Sequence, residues 1–420
     1  MVPDLDDYRW LVSSAAEPWL ARVAADTREL APLVASLRKD LSPARAHLIL
    51  ELTELRARAR GSGKFPQGSR LFFTRKGYEQ ATSEAVAGYK AERFSAVAED
   101  ADFAEGLADL GCGIGGDLIA MAVVHGVVGV ERDPVAALFA AANLETLGLT
   151  QGRALCREMA EGDVTAAAAW HLDPDRRRGE RRTSRPALGA PGPAVIRQLL
   201  AANGAAAVKL APAADAAELF ASGPLPCTES PLPLLEWISE NGECKQQVAW
   251  FGCLTEGQDG RRRATAIQRT PDGSGSVCSV TASGDAAAPP IAVAVGSFLF
   301  EADAAVRAAG LTPALAAKMG LQMTDAAGAY LTSDHPAPHG LLTVFAVEEV
   351  LPLDFKKVRQ ALRQRKTGTV EVKQRGVGID ANPWQRQLST RRAGESEKAT
   401  IIALHINRRR LAVLARRLDE

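Results

Sequence analysis

Asp109-Leu110-Gly111-Cys112-Gly113-Ile114-Gly115-Gly116 is the stretch on which the reading of this 420-residue chain turns. It completes a short apolar run, Leu107-Ala108-Asp109-Leu110, and leads into Asp117 to His125, a segment of helical character. Strand, glycine bend and helix in that order open a doubly wound parallel sheet. Gly111, Gly113 and Gly115 give GxGxG, whereas Gly111, Gly113 and Gly116 give the dinucleotide pattern GxGxxG, so glycine spacing leaves two cofactor classes open. Glu131, twenty residues after Gly111, accepts hydrogen bonds from ribose hydroxyls in either case. Asp109 separates the two. A carboxylate at the strand end suits a cofactor bearing an ammonium and a sulfonium, as S-adenosylmethionine does, and repels a pyrophosphate.

Downstream, the alternation continues. Val127 to Glu131 reads as the second strand, Pro134 to Leu147 as a helix, Ala154 to Cys156 as a third strand, Ala166 to Leu172 as a fourth and Val208 to Leu210 as a fifth. Lys245 to Cys253 and Ala264 to Gln268 read as antiparallel strands that close the sheet, and Gly273 to Pro290, rich in Gly, Ser, Ala and Pro, reads as an exposed loop. After the third strand, Glu158 and Asp163 are the candidates to face an adenine amino group, with Glu158 preferred on position. The fourth strand ends in His171-Leu172-Asp173-Pro174-Asp175-Arg176-Arg177, where the ligand crevice of an open α/β sheet lies. Asp173 is placed to take a proton from a methyl acceptor or to hold its N–H, with a helix or turn cap as the lesser alternative. Pro174 stiffens that turn, and Arg176 and Arg177 either clamp a phosphate or belong to a solvated basic loop.

Upstream, apolar residues recur at helical spacing from Trp10 to Leu55, and Ser42-Pro43 reads as an N-cap followed by proline at the first helical position. Another helix runs from about Glu79 to Ala98. Between them, Leu71 to Ser83, which includes Thr82 as a cofactor-binding candidate, either folds over the cofactor as a lid or packs the helices onto the sheet. The expected organisation is a helical part with its lid segment over 1–98, a cofactor-binding α/β domain over 99–300, a connecting helical segment over 301–340 and a small basic α+β domain over 341–420.

Fifty Lys/Arg balance fifty Asp/Glu, so the whole molecule has no general attraction for nucleic acid or an anionic membrane. The balance is local: Lys356 to Glu420 holds 17 Lys/Arg against 6 Asp/Glu. Six scattered cysteines, without a CxxC pair or a histidine at ligand spacing, read as reduced and free of metal. The start carries Asp4, Asp6 and Asp7 where a secretory signal needs a basic region, and no window approaches twenty uninterrupted apolar residues, so a cytoplasmic protein without a membrane span is expected.

The pairing of Glu79-Gln80-Ala81-Thr82 and Tyr89-Lys90-Ala91-Glu92-Arg93-Phe94 with Asp109 to Gly116 and Asp173 to Arg177 resembles the bacterial THUMP-like-domain class I methyltransferases. Further matches are Glu236-Trp237-Ile238, Glu243-Cys244-Lys245-Gln246-Gln247, Tyr330-Leu331-Thr332-Ser333-Asp334 and, for the C-terminal domain, Val370 to Val377. The resemblance implies a Rossmann-like sheet with a helical N-terminal part, use of S-adenosylmethionine without a metal, and an RNA acceptor, because true THUMP domains bind RNA and the catalytic domain is similar to trimethylguanosine synthases. Together with the reading of the residues above, this puts cofactor binding at Asp109, Gly111, Gly113, Gly115, Glu131, Glu158 and Thr82, catalysis at Asp173, Pro174 and Arg176, and contacts with the RNA at Arg177, Lys373 and Arg375. Two departures bear on the acceptor: Asp175 stands where relatives read alanine, and the aromatic of the Asp-Pro-Pro-aromatic pattern of amino methyltransferases is missing. A small-molecule or protein acceptor, a non-catalytic RNA-binding protein and, distantly, an NAD-dependent oxidoreductase remain as alternatives at this point.

Overall fold

The computed structural model describes residues 2–98, 106–175, 177–178, 181–182, 190–219, 232–269, 275–284, 289–365, 367–389 and 397–418. Two units emerge, one of residues 1–234 with 247–259 and the other of residues 235–246 with 260–420.

The first unit begins with helices α1 (Leu5–Val12), α2 (Glu17–Ala24), α3 (Leu30–Leu37), α4 (Pro43–Ser62), α5 (Arg75–Gln80) and α6 (Glu84–Ala98). Ser42 caps α4 by accepting from the Arg45 amide at 3.2 Å, Pro43 opens it, and Gly63, at φ +66°, closes it in the left-handed region. The alternating strands and helices follow: β1 (Leu107–Leu110), α7 (Gly116–Val124), β2 (Val127–Glu131), α8 (Pro134–Thr146), β3 (Gly152–Cys156), α9 (Glu161–Thr165), β4 (Ala169–Leu172), the short pair β5 (Arg177–Arg178) and β6 (Arg181–Arg182), α10 (Pro193–Ala202) and β7 (Ala206–Leu210). Strands run in the order β7-β4-β1-β2-β3, all parallel, and the Gln247–Trp250 half of β9 (Glu243–Trp250) pairs antiparallel with β7. β1, β4 and β7 are buried along their whole length, as expected of parallel strands with helices on both faces.

Leu71 to Ser83 is packing material. Phe72, Phe73 and Tyr78 join Phe65, Leu52, Leu55 and Phe139 of α8 in one apolar cluster. Buried Asn143 of α8 fastens the segment: its Nδ2 donates to Phe72 O at 3.1 Å and Ile114 O at 3.0 Å, and its Oδ1 accepts from Phe72 N at 2.7 Å. Asn143→Ala leaves three backbone groups without partners in the interior, and urea unfolding is expected to show a loss of about 2–4 kcal/mol.

The second unit holds β8 (Leu234–Glu240), the beginning of β9, β10 (Arg262–Arg269) and β11 (Gly275–Ala282). A seven-stranded sheet follows, in the order β13-β14-β12-β15-β18-β17-β16, with β12 (Phe298–Ala302), β13 (Gln322–Met323), β14 (Leu331–Ser333), β15 (Leu342–Pro352), β16 (Thr367–Gln374), β17 (Glu397–Ile406) and β18 (Arg409–Leu418). α11 (Ala304–Ala308), α12 (Thr312–Met319), α13 (Phe355–Gln364) and α14 (Ala381–Leu388) complete it. Two expectations are corrected here. Ala264 to Gln268 lies parallel to β8, Arg262 opposite Leu235 through Ile267 opposite Glu240, so its antiparallel partner is β11. β11 occupies much of the stretch read as a loop: an edge strand with mostly exposed side chains tolerates Ser and Thr, and its backbone bonds come from the eight-residue ladder with β10.

Candidate cofactor and acceptor site

Strand alternation decides which polar residues meet. In the sheet Asp109 of β1 stands directly opposite His171 of β4, and His171 opposite Ala207 of β7. Residues two apart share a face, so Asp109, His171 with Asp173, and Lys209 project to the same side. That side carries a continuous polar chain. Asp109 Oδ1 lies 2.8 Å from His171 Nδ1, and His171 Nε2 lies 3.1 Å from Nζ of Lys90, a residue of α6. Lys90 Nζ is 2.7 Å from Asp117 Oδ1 on α7. Thr82 Oγ1 donates to Asp117 Oδ2 at 2.7 Å and accepts from Lys209 Nζ at 3.0 Å, and Lys209 Nζ reaches Asp173 Oδ2 at 2.5 Å.

The imidazole bridges the two, with Nδ1 at Asp109 and Nε2 at Lys90. Three carboxylates, two lysine side chains and one imidazole are thus gathered in a dry place. Burial raises the Asp109 carboxyl above its ordinary value, against the pull of the His171 hydrogen bond. Burial pushes Asp117 the same way, but Lys90, His171 and Lys209 overcome it and hold that carboxyl well below the usual range. Lys90 is lowered, mainly by burial. Asp109 is 1% exposed, so it lies beneath the glycine bend, and its Oδ2 has no hydrogen-bond partner among the described residues.

The bend itself is shaped for a close visitor. Gly111, Gly113 and Gly115 have φ of +69°, +57° and +94°. A Cβ on Gly113 would meet nothing within 4 Å, whereas one on Gly111 would come within 3.3 Å of Asp173 O. Thr82 supports the loop from behind, since a Cβ on Gly116 would approach Thr82 N to 3.1 Å. Glu131 Oε2 accepts from Gly113 N at 3.0 Å and Oε1 from Asp133 N at 2.9 Å, which leaves each carboxylate oxygen a further lone pair.

Asp163 and Glu158 are told apart by their engagements. Asp163 is held by Arg157 and by the Ala160 amide at 2.7 Å, and although burial opposes it, Arg157 keeps its carboxyl low. Exposed Glu158 uses no side-chain oxygen among the described residues. Pro174 is buried at the end of β4 beside Asp173, while Asp175 lies 3.6 Å from Lys76 Nζ. Arg176 lies outside the described residues, and of Arg177 only the backbone, in β5, is described. Lys373 and Arg375 belong to the second unit, where both bind Glu301.

Sequence reading gave no role to Lys90, Asp117, His171 or Lys209. The signal was available in two of them: a lysine inside Ala206-Ala207-Val208-Lys209-Leu210 and a histidine inside Ala169-Trp170-His171-Leu172 sit in strands buried on both faces, where a polar side chain requires a partner. Among the described residues no group of three or more His, Cys, Asp or Glu could hold a metal ion, and no helix is long and apolar enough to cross a membrane.

Comparison with known proteins shows the family. Residues 342–417 match the family described as THUMP domain-like. Two proteins of Mycobacterium tuberculosis, from strains CDC 1551 / Oshkosh and ATCC 25618 / H37Rv and each described as an uncharacterized S-adenosylmethionine-dependent methyltransferase, are 31% identical over 353 residues, spanning 83% of this chain and 90% of theirs. A crystal structure described as a methyltransferase of Porphyromonas gingivalis W83 superposes with a TM-score of 0.74 at 17% identity and covers 100% of both chains, a likeness of fold.

Proposed function

Because the chain belongs to the class I S-adenosylmethionine-dependent methyltransferases that carry a THUMP-like domain, we propose that the acceptor of its methyl group is RNA. S-adenosylmethionine supplies an electrophilic methyl group on a sulfonium. The residues present fit such a cation: three carboxyl groups gather beneath the bend, and the orphaned Asp109 Oδ2 is a buried oxygen in need of a hydrogen-bond partner. This is the observation that carries the site assignment.

In this reading Asp109 and the backbone of Gly111, Gly113 and Gly115 hold the methionine part, Glu131 takes the ribose hydroxyls with its remaining lone pairs, and Glu158 faces the adenine. Thr82 holds the loop in place. Asp173, tethered through Oδ2 to Lys209, keeps Oδ1 to orient the acceptor N–H or O–H and to receive its proton, with Pro174 stiffening the turn. Arg176, which lies outside the described residues, and Arg177 are assigned to the acceptor. Lys373, Arg375 and the excess of 11 positive charges over Lys356 to Glu420 supply the phosphate attraction.

A small-molecule or protein acceptor is the competing reading, motivated by the extra carboxylate of Asp175, which Lys76 offsets. Incubating the protein with methyl-labelled S-adenosylmethionine and fractionated cell extract, then digesting with nuclease and weighing the nucleosides, separates the two. Label in a modified nucleoside is the expected result; label confined to small molecules or protein removes the RNA assignment.

A further inference from the structure

We infer that Arg307, Tyr330, Lys373 and Arg375 form a binding site for a phosphate group, held ready by the carboxylate of Glu301. The phosphate comes from an RNA backbone if the proposed acceptor is right, and that identification of its source rests on the RNA reading. In the sheet order, β16 and β12 are separated by β17, β18 and β15, which in a flat sheet is about 19 Å. Yet Lys373 Nζ lies 2.9 Å from Glu301 Oε2, and Arg375 Nη2 lies 2.6 Å from Glu301 Oε1. The sheet is therefore strongly curled, and these side chains meet over its concave face. That face is floored by Leu299, Phe345, Ile402, Leu404 and Val413, with Lys373 Nζ 5.9 Å from the Phe345 ring centroid.

Three cations converge there. Arg307 Nη1 stands 3.9 Å from Glu301 Oε1, and Lys373 is also 3.4 Å from the half-exposed Glu371. These three cations face Glu301 and Glu371, with Asp303 also acting on Arg307, and the two guanidinium groups keep donors to spare. Burial would raise the Glu301 carboxyl, but Lys373 and Arg375 overcome it and hold it below its ordinary value. Tyr330 supplies the independent observation. It is 1% exposed, its hydroxyl feels the charges of Glu301, Arg375 and Arg307, and it has no hydrogen-bond partner among the described residues. Burial, with Glu301 beside it, pushes the phenol further up, so it remains an O–H donor seeking an acceptor. The side chains of Arg307, Lys373 and Arg375 are 27%, 24% and 37% exposed, which leaves a small anion access. A phosphate fits this donor set: tetrahedral oxygens for the free guanidinium N–H groups and for the Tyr330 hydroxyl.

A structural salt bridge and a binding site respond oppositely to removal of Glu301. With the full chain, titration calorimetry against inorganic phosphate and pyrophosphate is expected to show Glu301→Gln binding about tenfold more tightly, Arg375→Ala about tenfold more weakly, and Tyr330→Phe several-fold more weakly with little change in unfolding temperature. A short oligoribonucleotide should compete with phosphate in the wild type and lose affinity in Arg375→Ala. If neither anion responds to Glu301→Gln or to Tyr330→Phe, the cluster is a structural ion pair and the proposal is overturned. If phosphate responds as expected while the oligoribonucleotide does not compete, the anion site stands and the RNA source fails.

Discussion

Gly113→Val is expected to reduce affinity for S-adenosylmethionine at least about a hundredfold, some 2.7 kcal/mol, while costing the fold no more than about 1–2 kcal/mol. The asymmetry follows from where a side chain would go. Gly113 sits at φ +57° with open space where its Cβ would be, so the fold feels chiefly the left-handed strain. The same open space is the approach to a backbone amide that Glu131 already holds. Gly129 provides the contrast. A Cβ there would come within 2.7 Å of Leu118 Cδ2 and 2.9 Å of Cys112 Sγ, so Gly129→Ala should destabilise the sheet by about 1–3 kcal/mol through crowding, and its effect on binding should be the smaller of the two. Calorimetry and thermal unfolding on both variants decide the matter. A Gly113→Val protein with wild-type affinity would place the cofactor somewhere other than this bend.

The elements most legible in the sequence were those with the strongest local rules. Ser42-Pro43 and Gly63 bracket α4 through capping chemistry that needs no tertiary information. The parallel strands around the glycine bend announced themselves as apolar runs of strand length, and β1 and β2 begin and end at the residues expected from the sequence. β11 was hidden because an exposed edge strand has no apolar alternation to display. The pairing of β10 with β8 was hidden because hairpin logic favours sequence neighbours, and nothing local records a parallel partner.

The site divides along the same line. Glycine positions and the acidic ends of β1 and β2 were readable because backbone geometry and strand ends are local properties. Asp109 was read as a residue at the open bend, yet register places it opposite His171, and the histidine holds it in the interior. Lys90 and Asp117 lie on helices before and after β1, and only their packing brings ammonium and carboxylate to 2.7 Å. Such a contact is a product of three-dimensional arrangement. The hint in the sequence is indirect: each polar residue in a strand buried on both faces implies an opposite partner on whatever covers that face.

Lys90→Met tests whether this polar chain is an electrostatic unit. Methionine approximates the volume of lysine, so the substitution removes a charge without opening a large cavity. Lys90 is 2% exposed, and its loss leaves Asp117 in the interior with the Thr82 hydroxyl but without its nearest cation, at an expected cost of about 3–5 kcal/mol at neutral pH. Adding Asp117→Asn to Lys90→Met should return about 1–3 kcal/mol, because a neutral amide needs no counter-ion and keeps a partner in Thr82. The pH dependence has a definite sign. In the wild type the Asp117 carboxyl is held below its unfolded value, so its contribution is complete above about pH 4 and disappears as pH falls through the lower folded value. Without Lys90, burial is opposed only by His171, Lys209 and the Thr82 hydroxyl, so the folded carboxyl moves up from its wild-type value. The variant's folded carboxyl then takes up its proton at higher pH than the wild type's, and the gap between wild type and Lys90→Met should narrow as pH is lowered from about 7 into the carboxylate range near about 4. Urea unfolding across that range measures it. A gap that stays constant would mean that Lys90 contributes packing alone and that Asp117 beneath the glycine bend is not controlled from α6.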